Sequence, residues 1–482
     1  MKQFLIFAAV FMALAAQDSL AKAQTKPNFV MIVLDDGDAE SMDLGLTQTK
    51  ALVADQGVIL PNFVTNTPVC GPSRAIMLRG QYAHNTKILE NADSAKFYGW
   101  AYKNKKLVSQ ATIERDTIAT RLQAGGYRTG HFGKYLNGWG SSNITGPTPP
   151  PPPGWNKFIA TVVQGKTPTT FTQYRLLNGN ALTIFGPESN PSLVYEPRMV
   201  TQHAISFIRS TPANKPLFAM VHMRPPHEPA TPHPSMANEP LPAFVDAPSF
   251  GDPPEPPVQR ALTSIGFYPF TQEWMDFIDT NKANRYRSLR YVDQLIMQIV
   301  NELQSTGRLD NTFIFVLSDN GWHEGEHSIP AIKGTAYKES ISPPMWVRGP
   351  NMPAGRIEAR LAGTHDLAPT LLGLAGIQIP QWMDGRQLRP LLFGNTTTTW
   401  RTAILGEHWQ VYKWSALVAQ YWKLVEWTSG ELELYDTAHD PYERTNLAHQ
   451  PGYEARVSQL KRRLTALKTC AGAVQCKAAE GQ

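Results

Sequence analysis

The chain has 482 residues, 42% hydrophobic and 18% charged, which excludes a disordered, charge-driven polypeptide. Its net charge of +5 comes from 45 Lys and Arg against 40 Asp and Glu with no long basic run, which argues against a nucleic-acid partner and leaves open a local basic pocket for an anion. Three Cys exclude a disulfide scaffold and a four-Cys zinc site, and 39 Pro with 35 Gly favour long ordered loops over coiled coils.

Met1–Ala23 reads as an export signal. Lys2 supplies the positive start, Phe4–Ala16 is an apolar run of 13 residues, and Ala21-Lys22-Ala23 is a small-x-small cleavage site. That run is short of the roughly 20 residues that span a bilayer, and no later stretch is long enough. The expectation is an exported protein, periplasmic or secreted, with no stable membrane insertion. Phe29–Leu34, Leu217–Val221 and Thr312–Leu317 are short continuous apolar runs, the mark of strands buried on both faces. Between them, Thr117–Ala124 reads as a helix stopped by Gly125-Gly126. Asn284–Thr306 is the clearest helix, with Leu289, Val292, Ile296, Ile299 and Leu303 on one face. Buried strands alternating with amphipathic helices predict an α/β fold with a large, mainly parallel sheet flanked by helices. Pro149–Pro153 and the Pro-rich stretch Ala230–Pro257 read as loops. After about residue 375 the pattern changes to short strand-like runs at Ala403–Glu407, Leu417–Trp422 and Leu432–Tyr435, then a helix over Tyr453–Leu467. These predict a smaller C-terminal α+β subdomain. In an oxidising compartment Cys470 and Cys476 are a candidate pair. Cys70 is then left over, either as a reactive residue or as an ordinary buried side chain.

Two of the apolar strands run directly into acidic pairs: Leu34 into Asp35-Asp36, and Leu317-Ser318 into Asp319-Asn320. Ligands of open α/β sheets sit at the carboxyl ends of the strands. If the two strands are parallel neighbours, three carboxylates and an amide converge, and mutual repulsion demands a cation. All-oxygen ligation suits Ca²⁺, with Mg²⁺ as the alternative, better than zinc. Taken singly, each pair would be only a cap or turn signal. His323-Glu324-Gly325-Glu326-His327 matches H-E-x-x-H, but that pattern binds zinc only on a helix. Gly321, Gly325 and Pro330 predict a loop here, with its histidines supporting the site or facing substrate.

Cys70-Gly71-Pro72-Ser73-Arg74 lies within TPVCGPSRAIMLRGQYAHN. At this segment the sequence closely resembles the sulfatases of the alkaline-phosphatase-like superfamily, whose C-x-P-S-R signature carries a Cys oxidised after synthesis to formylglycine. The order of motifs strengthens the resemblance: Asp35-Asp36, Cys70–Arg74, Gly133-Lys134-Tyr135-Leu136-Asn137, Pro226-His227, Ser318-Asp319-Asn320-Gly321, then Lys333. It covers essentially the whole mature chain, including GELELYDTAHDPYERTNLA, and is greatest with N-acetylglucosamine-6-sulfatases and microbial arylsulfatases. It implies a catalytic domain over residues 24–375 and a smaller C-terminal domain over 376–482.

The resemblance further implies hydrolysis of sulfate monoesters, aryl sulfates or sulfated amino sugars such as N-acetylglucosamine 6-sulfate. The cofactors it implies are formylglycine from Cys70 and Ca²⁺ (or Mg²⁺) on Asp35, Asp36, Cys70, Asp319 and Asn320. A formylglycine-generating enzyme would be the maturation partner. By the same resemblance Arg74 orients residue 70, Lys134 and Lys333 hold sulfate oxygens, and His227 is the general acid, with His222 a lesser candidate. Many sulfatases carry His where this chain has Leu136, a role that passes to Asn137 or another group. Trp139, Trp155 and Tyr135, near motif positions, are expected to line the substrate cleft. The competing readings are a phosphonate or phosphate ester hydrolase with the same nucleophile, and a non-catalytic carbohydrate-binding protein.

Overall fold

A computed structural model describes residues 26–94, 100–103, 106–109, 113–139, 150–162, 171–187, 189–411 and 413–481. The expected export signal and Pro149 lie outside the described residues.

The strands of the main sheet are, in chain order, β1 (Asn28–Asp35), β2 (Val58–Leu60), β3 (Arg128–Lys134), β4 (Lys157–Val162), β5 (Tyr174–Asn178), β6 (Ala181–Phe185), β7 (Leu217–Pro226), β8 (Thr312–Ser318), β9 (Met345–Arg348) and β10 (Arg356–Ile357). Their order across this ten-stranded sheet is β10-β2-β9-β8-β1-β7-β3-β4-β5-β6. The centre, β8-β1-β7-β3-β4, is wholly parallel, while β9 and β5 turn antiparallel toward the two edges. The predicted mainly parallel sheet is therefore a mixed sheet with a parallel centre.

The apolar runs arise from burial on both faces. In β1, Phe29, Met31 and Val33 enter one core, and Val30, Ile32 and Leu34 enter the other. Over the first face lie α1 (Cys70–Arg79), α2 (Ile118–Ala124) and, later in the chain, the helix Leu367–Leu374. Over the second lie α3 (Glu196–Arg209) and α4 (Gln272–Ser305). The helix expected from Asn284 begins twelve residues earlier, at Gln272. That first stretch buries Ile278, Asn281 and Lys282 and so lacks the apolar stripe by which the rest is recognised. Helix α2 starts at its Thr117 cap and ends at Gly125, as its sequence predicts.

The C-terminal segment forms a four-stranded antiparallel meander: β11 (Ala403–His408), β12 (Trp414–Ala419), β13 (Trp422–Trp427) and β14 (Leu432–Asp436). The expected strand Leu417–Trp422 instead spans the turn between β12 and β13. Leu405, Leu417, Leu424 and Leu434 pack against the helix Glu454–Leu467, the predicted terminal helix. Ile404, Ala416, Val425 and Tyr435 pack instead against main-domain residues such as Ile329 and Ile341. A further short helix, Gly472–Glu480, follows the predicted terminal one, and Cys470 and Cys476 are joined in a disulfide.

Candidate active site

The strand order β8-β1-β7-β3 brings four carboxyl ends side by side. Asp35 ends β1, and Leu34 pairs in register with Ser318 of β8, so Asp36 and Asp319 meet just beyond. The Asp36 N–H donates to Asp319 Oδ1 (3.2 Å) and the Asp319 N–H to the Leu34 carbonyl (3.1 Å). Asp36 adopts a left-handed φ of 64°, a conformation Asp tolerates better than most residues. Lys134 ends β3 and His227 follows β7.

Cys70 arrives from the opposite side, in the first turn of α1. Pro72 costs that turn little, because the N–H it lacks would have no partner within the helix. Gly71 is needed for close approach. Its N–H donates to Asn91 Oδ1 (2.8 Å), and a Cβ there would come within 2.5 Å of Ser94 Oγ.

These pieces assemble the predicted residues into one buried cluster. Asp35, Asp36, Cys70 and His227 each offer a ligand atom within 4.8 Å of the others. The Cys70 thiol donates to Asp35 Oδ1 (3.4 Å) and accepts from Lys333 Nζ (2.9 Å). Lys134 pairs with Asp35 and Lys333 with Asp36. Asp319 lies beside the cluster, bound to Arg74 Nε (2.8 Å). Burial alone would raise the pKa of Asp35, but Lys134, His227, Arg74 and Lys333 outweigh it and hold the group well below the usual carboxylate range. Asp319, raised by burial and by Asp35, is pushed up to about 6. Burial also pushes the Cys70 thiol up, to about 11.

The donor set fits a hard divalent cation. Asn320 Nδ2 donates to Asp36 Oδ1 (2.7 Å), while Asn320 Oδ1 and Asp36 Oδ2 are buried with no hydrogen-bond partner among the described residues. Two such oxygens beside Asp35 and Asp319 are costly without a charge to satisfy them.

The H-E-x-x-H segment is a loop, and its two histidines have different partners. Glu324 contacts Arg285, His327 stacks on Tyr337 at 3.8 Å, and His323 Nε2 bonds Thr335 Oγ1 (2.6 Å), two residues from Lys333. Both histidines are buried, His323 at 0% and His327 at 2% exposure. Trp139, Trp155 and Tyr135 do not line a cleft. They are 3%, 8% and 5% exposed and pack around Phe158 and His131. Leu136 joins the same core. The side chain of His227 is 34% exposed, with Nδ1 on the Glu228 carbonyl (2.6 Å) and Nε2 3.6 Å from Asp36 Oδ2. His222, the lesser candidate, is 2% exposed and its Nδ1 lies 2.8 Å from Arg74 Nη1.

Sequence reasoning missed Arg285. From α4 it reaches the carbonyls of Asp36 (2.7 Å) and Pro226 (3.2 Å), and it pairs with Asp38 and with Glu324 (2.7 Å). It thereby ties the β1 and β7 ends together. The signal was available: a charge spaced seven residues from Ile278 and from Val292 on the buried stripe. Arg285→Met is expected to lower stability by about 3–5 kcal/mol, because two carboxylates lose their buried partner. Denaturant unfolding measures this, and a loss below about 1 kcal/mol would show that the pairs contribute little.

The sulfatase family profile matches residues 27–377, and the profile for the N-sulphoglucosamine sulphohydrolase C-terminal region matches residues 325–470. An extracellular sulfatase SULF-1 homolog of Drosophila melanogaster is 30% identical over 387 residues, 78% of this chain and 32% of that protein. N-acetylglucosamine-6-sulfatase of Homo sapiens is 30% identical over 397 residues, 81% of this chain and 68% of that protein. The chain thus spans about a third of the fly relative's length and about two thirds of the human one's. The solved structure of BT4656 in complex with its substrate D-glucosamine-2-N,6-O-disulfate superposes with a TM-score of 0.73 at 21% identity, covering 95% of this chain and all of that one.

Proposed function

Because the chain belongs to the sulfatase family, we propose that it hydrolyses sulfate monoesters of sulfated amino sugars, N-acetylglucosamine 6-sulfate in particular, and of aryl alcohols. The observation that carries this reading is the meeting of Cys70, Asp35, Asp36 and His227 within 4.8 Å, with Lys333 Nζ 2.9 Å from Cys70 Sγ. Asp35, Asp36, Asp319 and Asn320 would hold a Ca²⁺, with residue 70 beside it as formylglycine. Once hydrated, that aldehyde supplies a hydroxyl nucleophile for sulfur and can release sulfate by returning to the aldehyde, while the cation lowers the cost of the alkoxide.

The other steps belong to this chain's side chains. Arg74, fixed by Asp319, keeps residue 70 against the acidic pair. Lys134 and Lys333 turn from their carboxylates toward the sulfate oxygens and offset the charge that grows there. His227, its ring fixed by the Nδ1–H that donates to the Glu228 carbonyl, acts in its imidazolium form and delivers the second proton, on Nε2, to the departing alcohol oxygen, leaving the neutral ring. The disulfide at Cys470–Cys476 supports an exported, oxidising location. No helix among the described residues is long and apolar enough to cross a membrane.

Sulfate release from N-acetylglucosamine 6-sulfate and nitrophenyl sulfate, beside turnover of a phosphate diester, tests the reading. The sulfate esters are expected to be preferred, and faster turnover of the diester would favour the phosphonate or phosphate hydrolase. His227→Ala is expected to cost about 10²–10⁴-fold on the sugar sulfate and far less on nitrophenyl sulfate, whose alcohol leaves without a proton. Equal losses on both would remove His227 from the acid role.

A further inference from the structure

We propose that His222 is a positioning residue for Arg74, acting as a fixed hydrogen-bond acceptor behind the guanidinium. This rests on the reading of Arg74 and residue 70 as the reaction centre.

Arg74 and His222 are each about 2% exposed, and Nη1 of Arg74 lies 2.8 Å from Nδ1 of His222. A guanidinium has five N–H donors, no acceptor, and a proton it does not lose. Nδ1 must therefore present its lone pair, so the ring is neutral with its hydrogen on Nε2. The same guanidinium donates through Nε to Asp319 Oδ2 (2.8 Å) and through Nη1 to the Lys134 carbonyl (2.8 Å). Asp319 alone would fix one edge of the plane. The Lys134 carbonyl and His222 fix the other, so the guanidinium cannot swing about the Nε contact.

The fold supplies this acceptor through strand register. His222 of β7 pairs with Gly133 of β3, two positions beyond the pair Met220–His131. His131 and His222 therefore stand on one face of the sheet, with ring centroids 5.1 Å apart. His131 is held in turn by Phe158 (4.9 Å, stacked) and by the edge of Tyr135 (5.1 Å). Only glycine fits at position 133, where φ is +103° and a Cβ would collide with the His222 carbonyl. Close strand approach, an aromatic backing and a buried imidazole thus converge on one guanidinium edge. The position two residues after Lys134 is Leu136, which faces the core and offers no such contact.

The test separates an acceptor from a space-filler. His222→Asn places an amide oxygen near the position of Nδ1, while His222→Leu keeps bulk without an acceptor. The leucine variant is expected to lose about 10–100-fold in kcat, with KM within about twofold, and the asparagine variant to stay within about threefold of wild type. A leucine variant like wild type, or a folded asparagine variant as impaired as the leucine one, would overturn the proposal. Nitrogen NMR of the histidine-labelled protein, with His222 identified by its loss in the asparagine variant, reads the tautomer whether or not the leucine variant folds. The expected result is a bare, hydrogen-bonded Nδ1 and a protonated Nε2, and a proton on Nδ1 would overturn the proposal. Because the tautomer does not depend on turnover, a wild-type protein inactive on sulfate esters would sink the sulfatase reading while leaving the Arg74–His222 contact separately testable.

Discussion

Cys70→Ala is expected to abolish sulfate release, by about 10⁴-fold or more, without unfolding the protein. Losses of that size accompany removal of a covalent nucleophile, because orientation and charge stabilisation alone recover only part of the rate. The setting of residue 70 bears on whether it could act as a thiol. Burial pushes its pKa to about 11 against the pull of Lys134 and Lys333, which disfavours the thiolate that a cysteine nucleophile needs. The mass of the proteolytic peptide containing residue 70 is expected to show an aldehyde in protein from a host able to make the modification. An intact thiol together with full activity would contradict the formylglycine mechanism, as would near-normal turnover by the alanine variant.

Glu480→Gln is expected to lower stability by about 3 kcal/mol at pH 7, far more than its place near the end of the chain suggests. The side chain is fully buried and binds Arg386 (2.7 Å), Arg401 (3.3 Å) and His365 (3.1 Å), while Arg401 also binds Asp366 (2.6 Å). Burial by itself would raise its pKa, but Arg401, His365 and Arg386 outweigh that and hold it at about 2. A carboxylate whose folded pKa is depressed stabilises fully above its unfolded value, near 4.3. The contribution falls away as pH drops from there toward about 2. Wild type minus variant in denaturant unfolding should therefore shrink across that window. A constant difference from pH 7 to pH 3 would mean that packing, and not charge, explains the loss.

How much was legible depended on range along the chain. The strands β1, β7 and β8 announced themselves because both faces are buried, which writes an unbroken apolar run into the sequence. Even so, β7 extends to Pro226, past the expected Val221, because its polar members His222 and Arg224 are satisfied by Arg74 and Glu196, contacts far along the chain. The turn within Leu417–Trp422 was hidden for the opposite reason. Gln420-Tyr421 lacks the Gly or Asn that marks most tight turns.

The candidate site divides in the same way. Asp35-Asp36 and Asp319-Asn320 could be named from residue type and their place at strand ends, whereas Cys70–Arg74, Lys134, His227 and Lys333 could be named only through the motif order shared with the sulfatases. Whether a buried polar residue is a reactant, a support or part of the core is not encoded locally. Tyr135, Trp139 and Trp155 sit beside motif positions and yet fill the core, packed around His131 of β3 and Phe158 of β4. Arg285 and His222 sit among apolar residues and yet reach the site, through a helix stripe and a strand register that only the assembled sheet defines. Residue pattern alone set out the alternation of strand and helix and the acidic strand ends, and resemblance to the sulfatases singled out the Cys70 segment. Tertiary structure alone decided which distant groups meet them, because hydrogen bonds and buried charges are satisfied across the sheet order β8-β1-β7-β3, and that order is a property of the packed chain.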